Sequence, residues 1–307
     1  MDIVFFGSGA FGVPTLEALM REHTVRAVVT QPDKPVGRGK KLTPTPIGQA
    51  VEDLDASIPV FKPDRINLPE IRDEVRAVEA DGWVVIAYGQ KLGQNLLADK
   101  FAINLHASLL PRWRGAAPIN AAVVAGDTET GTSVIALAEE MDAGVVYAES
   151  RRLIEPGQTA GELHDLLAGD GVEPVLRTLT QFVENRLDPR EQDESLVTLA
   201  PKISKQDGRI DFSWDAERCR NLIHGYNPWP SVTVRLGELP LKIHRVESVA
   251  ADTDQKTGMI YDVEQGLVSC GKGAIRLVEI QPAGKKPMAW TDFVRGRAIE
   301  RGQVLQP

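Results

Sequence analysis

The chain has 307 residues, of which 42% are hydrophobic and 25% are charged, and its formal net charge at pH 7 is −8. This is ordinary globular composition, and the length favours two domains because one core rarely grows beyond ~250–300 residues. Apolar runs stay well short of the ~20 residues of a membrane-spanning helix, and two distant cysteines without CxxC partners argue against a disulfide framework or zinc site. We therefore expect a cytoplasmic protein without a membrane partner and assign both cysteines to packing.

Charge is unevenly distributed along the chain. Residues 208–307 carry 14 Lys and Arg against 12 Asp and Glu, whereas residues 1–207 carry 21 against 31. Because local clusters of cations can hold a polyanion, the acidic net charge neither supports nor excludes a nucleic-acid partner.

The first ~180 residues alternate apolar runs with helical patterns, which is typical of a mostly parallel, Rossmann-like sheet of the α/β class. The run WVVIA at 83–87 predicts a strand buried on both faces. The predicted strands are 3–6, 25–29, 83–87, 102–105 and 132–136, and the predicted helices are 14–21, 66–79 and a long one at 161–185.

A glycine motif follows the first predicted strand. Residues 7–12, GSGAFG, match GxGxxG, and Asp33 lies near where a ribose-binding acid is expected. This pattern supports an alternative, a nicotinamide-dependent oxidoreductase. However, Asp33 stands beyond Pro32 rather than at the end of a strand, so we favour the simpler explanation that the glycines permit a tight turn.

Residues 31–46, QPDKPVGRGKKLTPTP, contain four prolines, two glycines and four cations. This composition predicts a loop without regular structure. A basic loop is often only a solvated surface feature, but a long loop in a compact domain tends to be functional. We therefore interpret it as an arm that contacts phosphates and becomes ordered on binding.

Residues 103–119, INLHASLLPRWRGAAPI, carry the residues best suited to chemistry. Asn104 and His106 are two apart, so they point the same way at the carboxyl end of a strand, where α/β sheets place their active sites. Asp142 lies in a turn between two predicted strands. An amide and an imidazolium can stabilise an oxyanion, while a carboxylate orients the imidazole and favours its charged form, so this set suits acyl transfer.

The pattern changes near residue 186. Residues 186–207 are polar, charged and interrupted by prolines, which suits a linker. A helix at 215–223 and short strands at 232–235, 241–246, 258–262, 267–270 and 275–280 then predict a small β-barrel. We predict a catalytic domain at 1–185, a linker at 186–207 and a second domain at 208–307.

The segment NLHASLLPRWRGAAPI closely resembles the signature of the folate-dependent formyltransferases, and its tryptophan-containing form is similar to the branch that acts on methionyl-tRNA. The similarity continues along nearly the whole chain. QPDKPVGRGKKLTPTPI resembles the family's inserted basic loop, VVIAYGQ its folate-pocket strand and MDAG its catalytic-acid turn. RIDFSWDAERCRNLIHGYNPWP and QPAGKKPM resemble its C-terminal OB-fold-like domain, which implies tRNA binding by residues 208–307.

The resemblance implies transfer of a formyl group from 10-formyltetrahydrofolate, a co-substrate, to the amino group of initiator methionyl-tRNA, with no metal or nicotinamide. Asn104 and His106 would hold the formyl oxygen and Asp142 would pair with His106. The implied folate-site residues are Ser108, Leu109, Leu110, Pro111, Ala87, Tyr88 and Gly89. The implied contacts with the tRNA acceptor end are Lys34, Arg38, Lys40 and Lys41.

Three classes of function stay open from the residues alone. The set Asn104, His106 and Asp142 favours a formyltransferase, GSGAFG by itself a dehydrogenase, and the basic loop with a small β-domain a tRNA-binding module without catalysis. We take a monomer as the expectation.

Overall fold

A computed structural model describes residues 1–37, 39–252 and 254–307. The chain divides into two compact units. The first comprises Met1–Arg114, Gly131–Arg152 and His164–Thr198, and the second Gly115–Thr130, Leu153–Leu163 and Leu199–Pro307. No helix in these described stretches has the length and apolar character needed to cross a membrane.

Strands and helices alternate through the first half of the chain, as the βαβ pattern predicts. In chain order they are β1 (Asp2–Gly7), α1 (Val13–Glu22), β2 (Thr24–Val29), β3 (Lys34–Val36), β4 (Lys41–Thr43), α2 (Pro46–Leu54), β5 (Val60–Phe61), α3 (Pro69–Arg76), β6 (Gly82–Ile86), α4 (Gln94–Leu97), β7 (Ala102–His106), β8 (Arg114–Gly115), α5 (Pro118–Ala125), β9 (Glu129–Ala136) and β10 (Val146–Leu153).

The remaining elements begin with helices and continue with short strands. They are α6 (Ala160–Asp170), α7 (Val172–Val183), β11 (Leu199–Ala200), α8 (Ala216–Gly225), β12 (Val232–Leu236), β13 (Leu239–Val249), β14 (Ile260–Asp262), β15 (Leu267–Ser269), β16 (Ala274–Pro282), β17 (Met288–Ala289), α9 (Trp290–Arg295) and β18 (Leu305–Gln306).

The first unit is built on a seven-stranded sheet of order β10-β9-β7-β6-β1-β2-β5. The pairs β7–β6, β6–β1, β1–β2 and β2–β5 are parallel, whereas β7–β9 is antiparallel, so the predicted mostly parallel sheet is confirmed. Every residue of β6 is buried, as its continuous apolar run predicts. The chain leaves β1 in one direction and resumes at β6 on its other side, and such a reversal places ligand sites at the carboxyl ends of the strands.

The single long helix predicted at 161–185 is wrong: α6 ends at Asp170 and α7 begins at Val172. The physical reason is Pro174. It has no N–H to donate to the carbonyl of Asp170, and its ring crowds that carbonyl, so the hydrogen-bond ladder breaks there. The apolar spacing continues across the break, which is why periodicity alone joins the two helices.

The expectation that residues 31–46 lack regular structure is also wrong. Strands β3 and β4 pair antiparallel in a two-stranded ribbon, with Lys34 opposite Thr43 and Val36 opposite Lys41. Gly37 and Lys40 have positive φ values of 75° and 46°, and they lie in the turn that joins the strands. Pro35 is compatible with this ribbon because each strand is an edge strand, where a missing N–H need not break a ladder.

The second unit contains an antiparallel sheet of order β14-β15-β16-β13-β12-β18, with β17 paired to β16. Met259, beside β14, forms an antiparallel bridge with Val304, beside β18. The two edges of the sheet therefore meet, and the OB-fold-like barrel predicted from the short strands is confirmed. Its core holds the fully buried Trp290, and both cysteines are buried there with free thiols.

A buried histidine makes the stability of the second unit depend on pH. His224 on α8 is 1% exposed, and its Nε2 accepts a hydrogen bond from the Val246 N–H at 3.1 Å. Burial, with smaller contributions from Arg245 and Arg220, lowers the pKa of His224 from 6.5 to about 4. His224 therefore becomes protonated below pH 6.5 in the unfolded chain, but only near pH 4 in the folded chain.

We expect the free energy of unfolding to be highest above pH 6.5 and to fall as the pH drops toward 4. Between pH 7.5 and pH 5 the loss due to this one group is about 2 kcal/mol. Urea unfolding of wild-type protein, His224→Gln and the control His244→Gln at both pH values measures it. His224→Gln, which keeps an acceptor without titrating, is expected to lose less stability than the other two, and equal losses in all three would contradict the assignment.

Candidate active site

The candidate site is centred on His106, the last residue of β7. This strand lies between β6 and β9, with Asn104 opposite Val85 on one side and Ile135 on the other. Alternation along β7 puts the side chains of Asn104 and His106 on the same face. His106 is 6% exposed, so the imidazole is largely shielded from water at the end of the sheet.

Both imidazole nitrogens of His106 face defined oxygen atoms. Nε2 lies 2.9 Å from the carbonyl oxygen of Trp113, and Nδ1 lies 3.6 Å from Oδ2 of Asp142. A carbonyl only accepts, so Nε2 carries a proton in this arrangement. The Nδ1 contact is too long for a hydrogen bond, so when Nδ1 also carries a proton, the Asp142 carboxylate balances the charge of the imidazolium and the Nδ1–H stays available to a substrate oxygen.

Unlike the His106 imidazole, the Asn104 side-chain amide makes no hydrogen bond to the described residues. It is partly buried, and within the described residues it has no hydrogen-bond partner. Its two N–H groups can therefore be offered to a ligand at the same strand end. The structure thus brings His106 and Asp142 into contact and places Asn104 on the same face of β7.

A polar network that the sequence does not predict holds the turn containing Asp142. The Gln192 side chain donates hydrogen bonds to the carbonyl oxygens of Asp142 and Gly144, both at 2.7 Å. Arg114, a buried cation, donates from Nε to Oε1 of Gln192 at 3.0 Å and pairs with Glu194 through both terminal nitrogens. Gln192 lies 50 residues from Asp142 in sequence, so no local pattern joins them.

The loop that follows β7 is shaped by its own hydrogen bonds. The Ser108 hydroxyl donates to the Arg112 carbonyl at 2.6 Å, and Ser133 donates to the Ser108 carbonyl at 2.8 Å. The Leu110 N–H donates to the Ser133 hydroxyl, and the bond from Leu110 to Pro111 is cis. The Ser108 hydroxyl thus fixes the loop, while Leu109 and Pro111 keep part of their surface accessible.

Residues 87–89 form the turn after β6. Ala87 and Gly89 have positive φ values of 47° and 89°, and both are exposed. Tyr88 between them is 2% exposed, and its hydroxyl has no partner among the described residues. Burial raises the pKa of Tyr88, so the phenol stays neutral and can donate a hydrogen bond.

The glycine-rich turn is explained by packing. A Cβ at Gly7 would lie 2.6 Å from the Phe5 ring and 3.0 Å from the Ile86 carbonyl oxygen. Asp33, the residue that a dinucleotide would need for its ribose, instead pairs with Lys62 at 2.7 Å. Asp33 is therefore engaged in an ion pair and not left free to bind a ribose, which argues against the dehydrogenase interpretation.

A cavity of about 460 Å³ opens in the first unit beside α4. The sequence does not predict it, because its walls come from two segments whose polar and apolar residues show no motif. It is lined by Lys91, Leu92, Gly93, Gln94, Leu97, Ala98, Leu137, Ala138 and Glu139. Glu139 stands three residues before Asp142, so this wall leads into the turn that contains Asp142.

Three of the four cations predicted to contact phosphates lie on the β3–β4 hairpin. Lys34, Lys40 and Lys41 are exposed, and none of them pairs with a carboxylate within the parts of the chain that the structure describes. Arg38, the fourth predicted cation, lies outside the described residues. Val36 and Leu42 on the same hairpin are 58% and 65% exposed, so the ribbon presents apolar as well as basic groups.

Comparison with protein families matches both parts of the chain. Residues 1–179 match the formyl transferase family, and residues 202–298 match the formyl transferase C-terminal domain.

Two solved structures share the fold at low sequence identity. A sugar 3N-formyl transferase, WlaRD, crystallised in the presence of dTDP and 5-N-formyl-THF, has a TM-score of 0.71 at 15% identity, covering 93% of this chain and 99% of that one. HypX from Aquifex aeolicus in complex with tetrahydrofolic acid has a TM-score of 0.63 at 16% identity. That match covers 96% of this chain and 47% of HypX, so this chain spans about half of HypX.

Full-length relatives give the most specific comparison. A methionyl-tRNA formyltransferase of Methylococcus capsulatus is 41% identical over 303 residues, which cover 97% of this chain and 98% of that protein. A methionyl-tRNA formyltransferase of Clostridium acetobutylicum is 39% identical over 311 residues, which cover 100% of both. The chain therefore belongs to the methionyl-tRNA formyltransferase family.

Proposed function

We propose that this enzyme transfers the formyl group of 10-formyltetrahydrofolate to the amino group of methionyl initiator tRNA, giving formylmethionyl-tRNA for translation initiation. The observation that carries the proposal is the grouping of an unengaged Asn104 amide with a buried His106 that faces Asp142. Full-length similarity to methionyl-tRNA formyltransferases supports the choice of substrates.

The reaction is an acyl transfer in which the amine is the nucleophile. The neutral amine of the methionyl group attacks the formyl carbon, a C–N bond forms, and the formyl oxygen becomes an oxyanion. Asn104 and the Nδ1–H of His106 donate hydrogen bonds to that oxygen, and two such donors are worth ~3–4 kcal/mol each to the transition state. No side-chain nucleophile is required.

Proton movement completes the transfer. The attacking nitrogen loses a proton, and the folate N10 gains one as its bond to the formyl carbon breaks, so the product is an amide and tetrahydrofolate is released. Asp142, 15% exposed and adjacent to His106, assists this movement, and its carboxylate balances the charge of the imidazolium.

We place the folate along the walls formed by residues 87–89, 108–111 and the cavity beside α4. The cavity volume of about 460 Å³ suits a ring system of pterin size, and its lining mixes apolar side chains with the polar side chains of Lys91, Gln94 and Glu139. Gly89 leaves space at the turn after β6, since its nearest neighbouring atoms lie 4.0 Å from where a Cβ would stand. These features fit a flat, polar-edged ligand.

Ligand binding should distinguish this function from the dehydrogenase alternative. We expect 5-formyltetrahydrofolate, a stable analogue, to bind the folded protein and so raise its Tm. At a hundredfold excess over Kd, the free energy of unfolding increases by about 2.7 kcal/mol. NAD and NADP at equal concentrations are expected to leave the Tm unchanged. A thermal shift assay measures these changes. A Tm raised by NAD or NADP and not by the folate would favour the oxidoreductase hypothesis instead.

We propose that the β3–β4 hairpin receives the acceptor end of the tRNA. Three exposed lysines without carboxylate partners in the described chain give it a local positive charge on an acidic protein. Arg38, outside the described residues, is proposed to contribute a guanidinium that can contact phosphate or a base edge at two points. Residues 208–307 are proposed to hold the rest of the tRNA, with 186–207 as the linker.

Removing two hairpin cations should weaken tRNA binding in a salt-dependent way. For the double variant Lys40→Ala, Lys41→Ala we expect a higher KM for methionyl-tRNA, an unchanged KM for folate and a salt slope reduced by up to ~2. The control Arg21→Ala, Arg65→Ala removes the same charge from exposed positions elsewhere. Kinetics at several salt concentrations measure the effect, and identical slopes in both double variants would rule out a special role for the hairpin.

We further propose that the enzyme acts in the cytoplasm as a monomer. The second unit completes its own barrel, and its core is closed around Trp290.

A further inference from the structure

We infer that Gln192 is a positioning residue for the reaction: its side-chain amide fixes the turn that carries Asp142 and thereby sets the carboxylate against His106. The inference rests on the proposed roles of His106 and Asp142. It assigns a function within the site to a segment whose composition alone suggests a linker.

The first step is the geometry of the turn itself. Asp142 adopts a left-handed conformation with φ of 56°, which is uncommon for a residue other than glycine. In this conformation the carbonyls of Asp142 and Gly144 converge on one point, and the two N–H groups of the Gln192 amide meet them at 2.7 Å each. A side chain with two donors on one nitrogen is what this pair of acceptors requires.

The second step is the orientation of the amide. Its oxygen accepts from Nε of Arg114, and a guanidinium can only donate, so the NH2 end must face the Asp142 turn. The Arg114 side chain is 7% exposed and forms a two-point pair with Glu194, which fixes the guanidinium plane. The Arg114–Glu194 pair therefore orients the Gln192 amide, and the amide in turn holds the turn that contains Asp142.

The third step links this network to the opposite side of the imidazole. Trp113, the neighbour of Arg114, supplies the carbonyl that faces His106 Nε2. The N–H groups of Trp113 and Arg114 donate to the hydroxyl and carbonyl of Thr198, at 2.9 Å each. Residues 192–198 thus fix both the carbonyl on the Nε2 side and the carboxylate on the Nδ1 side, so the ring is held at both nitrogens by one segment.

The chemical consequence is that Gln192 determines how well the Asp142 carboxylate compensates the positive charge of a protonated His106. The Nδ1 to Oδ2 separation of 3.6 Å allows a charge pair without a hydrogen bond to the carboxylate, so the formyl oxygen can accept from Nδ1–H. If the turn relaxes by about 1 Å, the pair weakens or the carboxylate captures that proton. Misplacement on this scale can cost about a hundredfold in rate without loss of substrate binding.

We test the inference with Gln192→Ala and with Gln192→Glu, which keeps the shape and the contact with Arg114 but turns a carboxylate oxygen toward two carbonyls. Both are expected to lower kcat by about 10- to 100-fold, while KM for folate and for methionyl-tRNA stays within about threefold. The neighbouring Glu191→Ala serves as the matched control and is expected to keep wild-type kcat. Circular dichroism and Tm establish which variants are folded, and Gln192→Glu carries the test if Gln192→Ala is not.

A double-mutant cycle with Asp142→Asn separates positioning from general destabilisation. Because Gln192 acts through Asp142, the variant with both changes is expected to be no slower than Asp142→Asn alone, and Gln192→Ala is expected to shift the pH dependence of kcat in the same direction as Asp142→Asn. Independent, multiplicative losses, or a wild-type kcat and pH profile in a folded Gln192 variant, would overturn the inference. If Asp142→Asn itself leaves kcat unchanged, the proposed catalytic site is at fault instead.

Discussion

Replacing His106 by alanine is expected to lower kcat for formyl transfer by two or more powers of ten while the protein stays folded. The imidazolium supplies a charged donor to the developing oxyanion, and losing one such donor typically costs 10²–10³ in rate. His106 is 6% exposed, so in the wild-type enzyme this donor comes from the side chain and not from bulk water. Asn104→Ala is expected to cause a loss of similar size, because it removes the neutral donor aimed from the same strand face.

The matched control for this prediction is His164→Ala. His164 lies in α6, where its side chain contacts Asp165 and the ring of Phe11. These contacts are separate from those that His106 makes at the end of β7. We expect this variant to keep kcat within about twofold, as is usual for surface substitutions outside the site. Steady-state kinetics with saturating folate and methionyl-tRNA measure all three variants, and near-normal kcat in folded His106→Ala would move the chemistry elsewhere.

Asp142→Asn is the second change with a large expected effect. It keeps the volume of the side chain but removes the charge that faces Nδ1 of His106, so the imidazolium loses its partner. We expect kcat to fall by at least tenfold, because the charge on the imidazole is no longer balanced, and we expect the pH–rate profile to differ from that of the wild type.

A comparison with Glu140→Gln tests whether charge at Asp142 matters specifically. Glu140 lies in the same connection between β9 and β10 and is exposed, so its neutralisation changes the charge of the segment but not the partner of His106. Its pH–rate profile is expected to match the wild type. If Asp142→Asn also keeps the wild-type rate and profile, Asp142 has only a structural role.

The sequence points to the three candidate catalytic residues because the position of each is set by nearby strands and turns. Asn104 and His106 share a face through strand alternation, and Asp142 lies in a turn beside the next strand pair. Gln192 is different. It reaches Asp142 only after the chain has passed through α6 and α7, and a glutamine among charged residues carries no periodic or motif signal.

The fold shows the same division between local and long-range causes. Buried strands such as β6 are predicted well because a continuous apolar run allows few alternatives. The short β5 is missed because pairing with its neighbour, rather than its own composition, makes it a strand. The β3–β4 ribbon is missed because prolines and glycines disfavour regular structure in general but not in a two-stranded hairpin.

The most direct test of the central claim is single-turnover transfer of a labelled formyl group. Full-length protein is mixed with 10-formyltetrahydrofolate labelled in the formyl carbon and with methionyl initiator tRNA, and the label on the tRNA is followed in time. We expect the label to appear on the methionyl amine, to be absent with uncharged tRNA, and to appear at least a hundredfold more slowly with His106→Ala. Label that never reaches methionyl-tRNA, or that reaches it at the same rate without His106, would contradict the account.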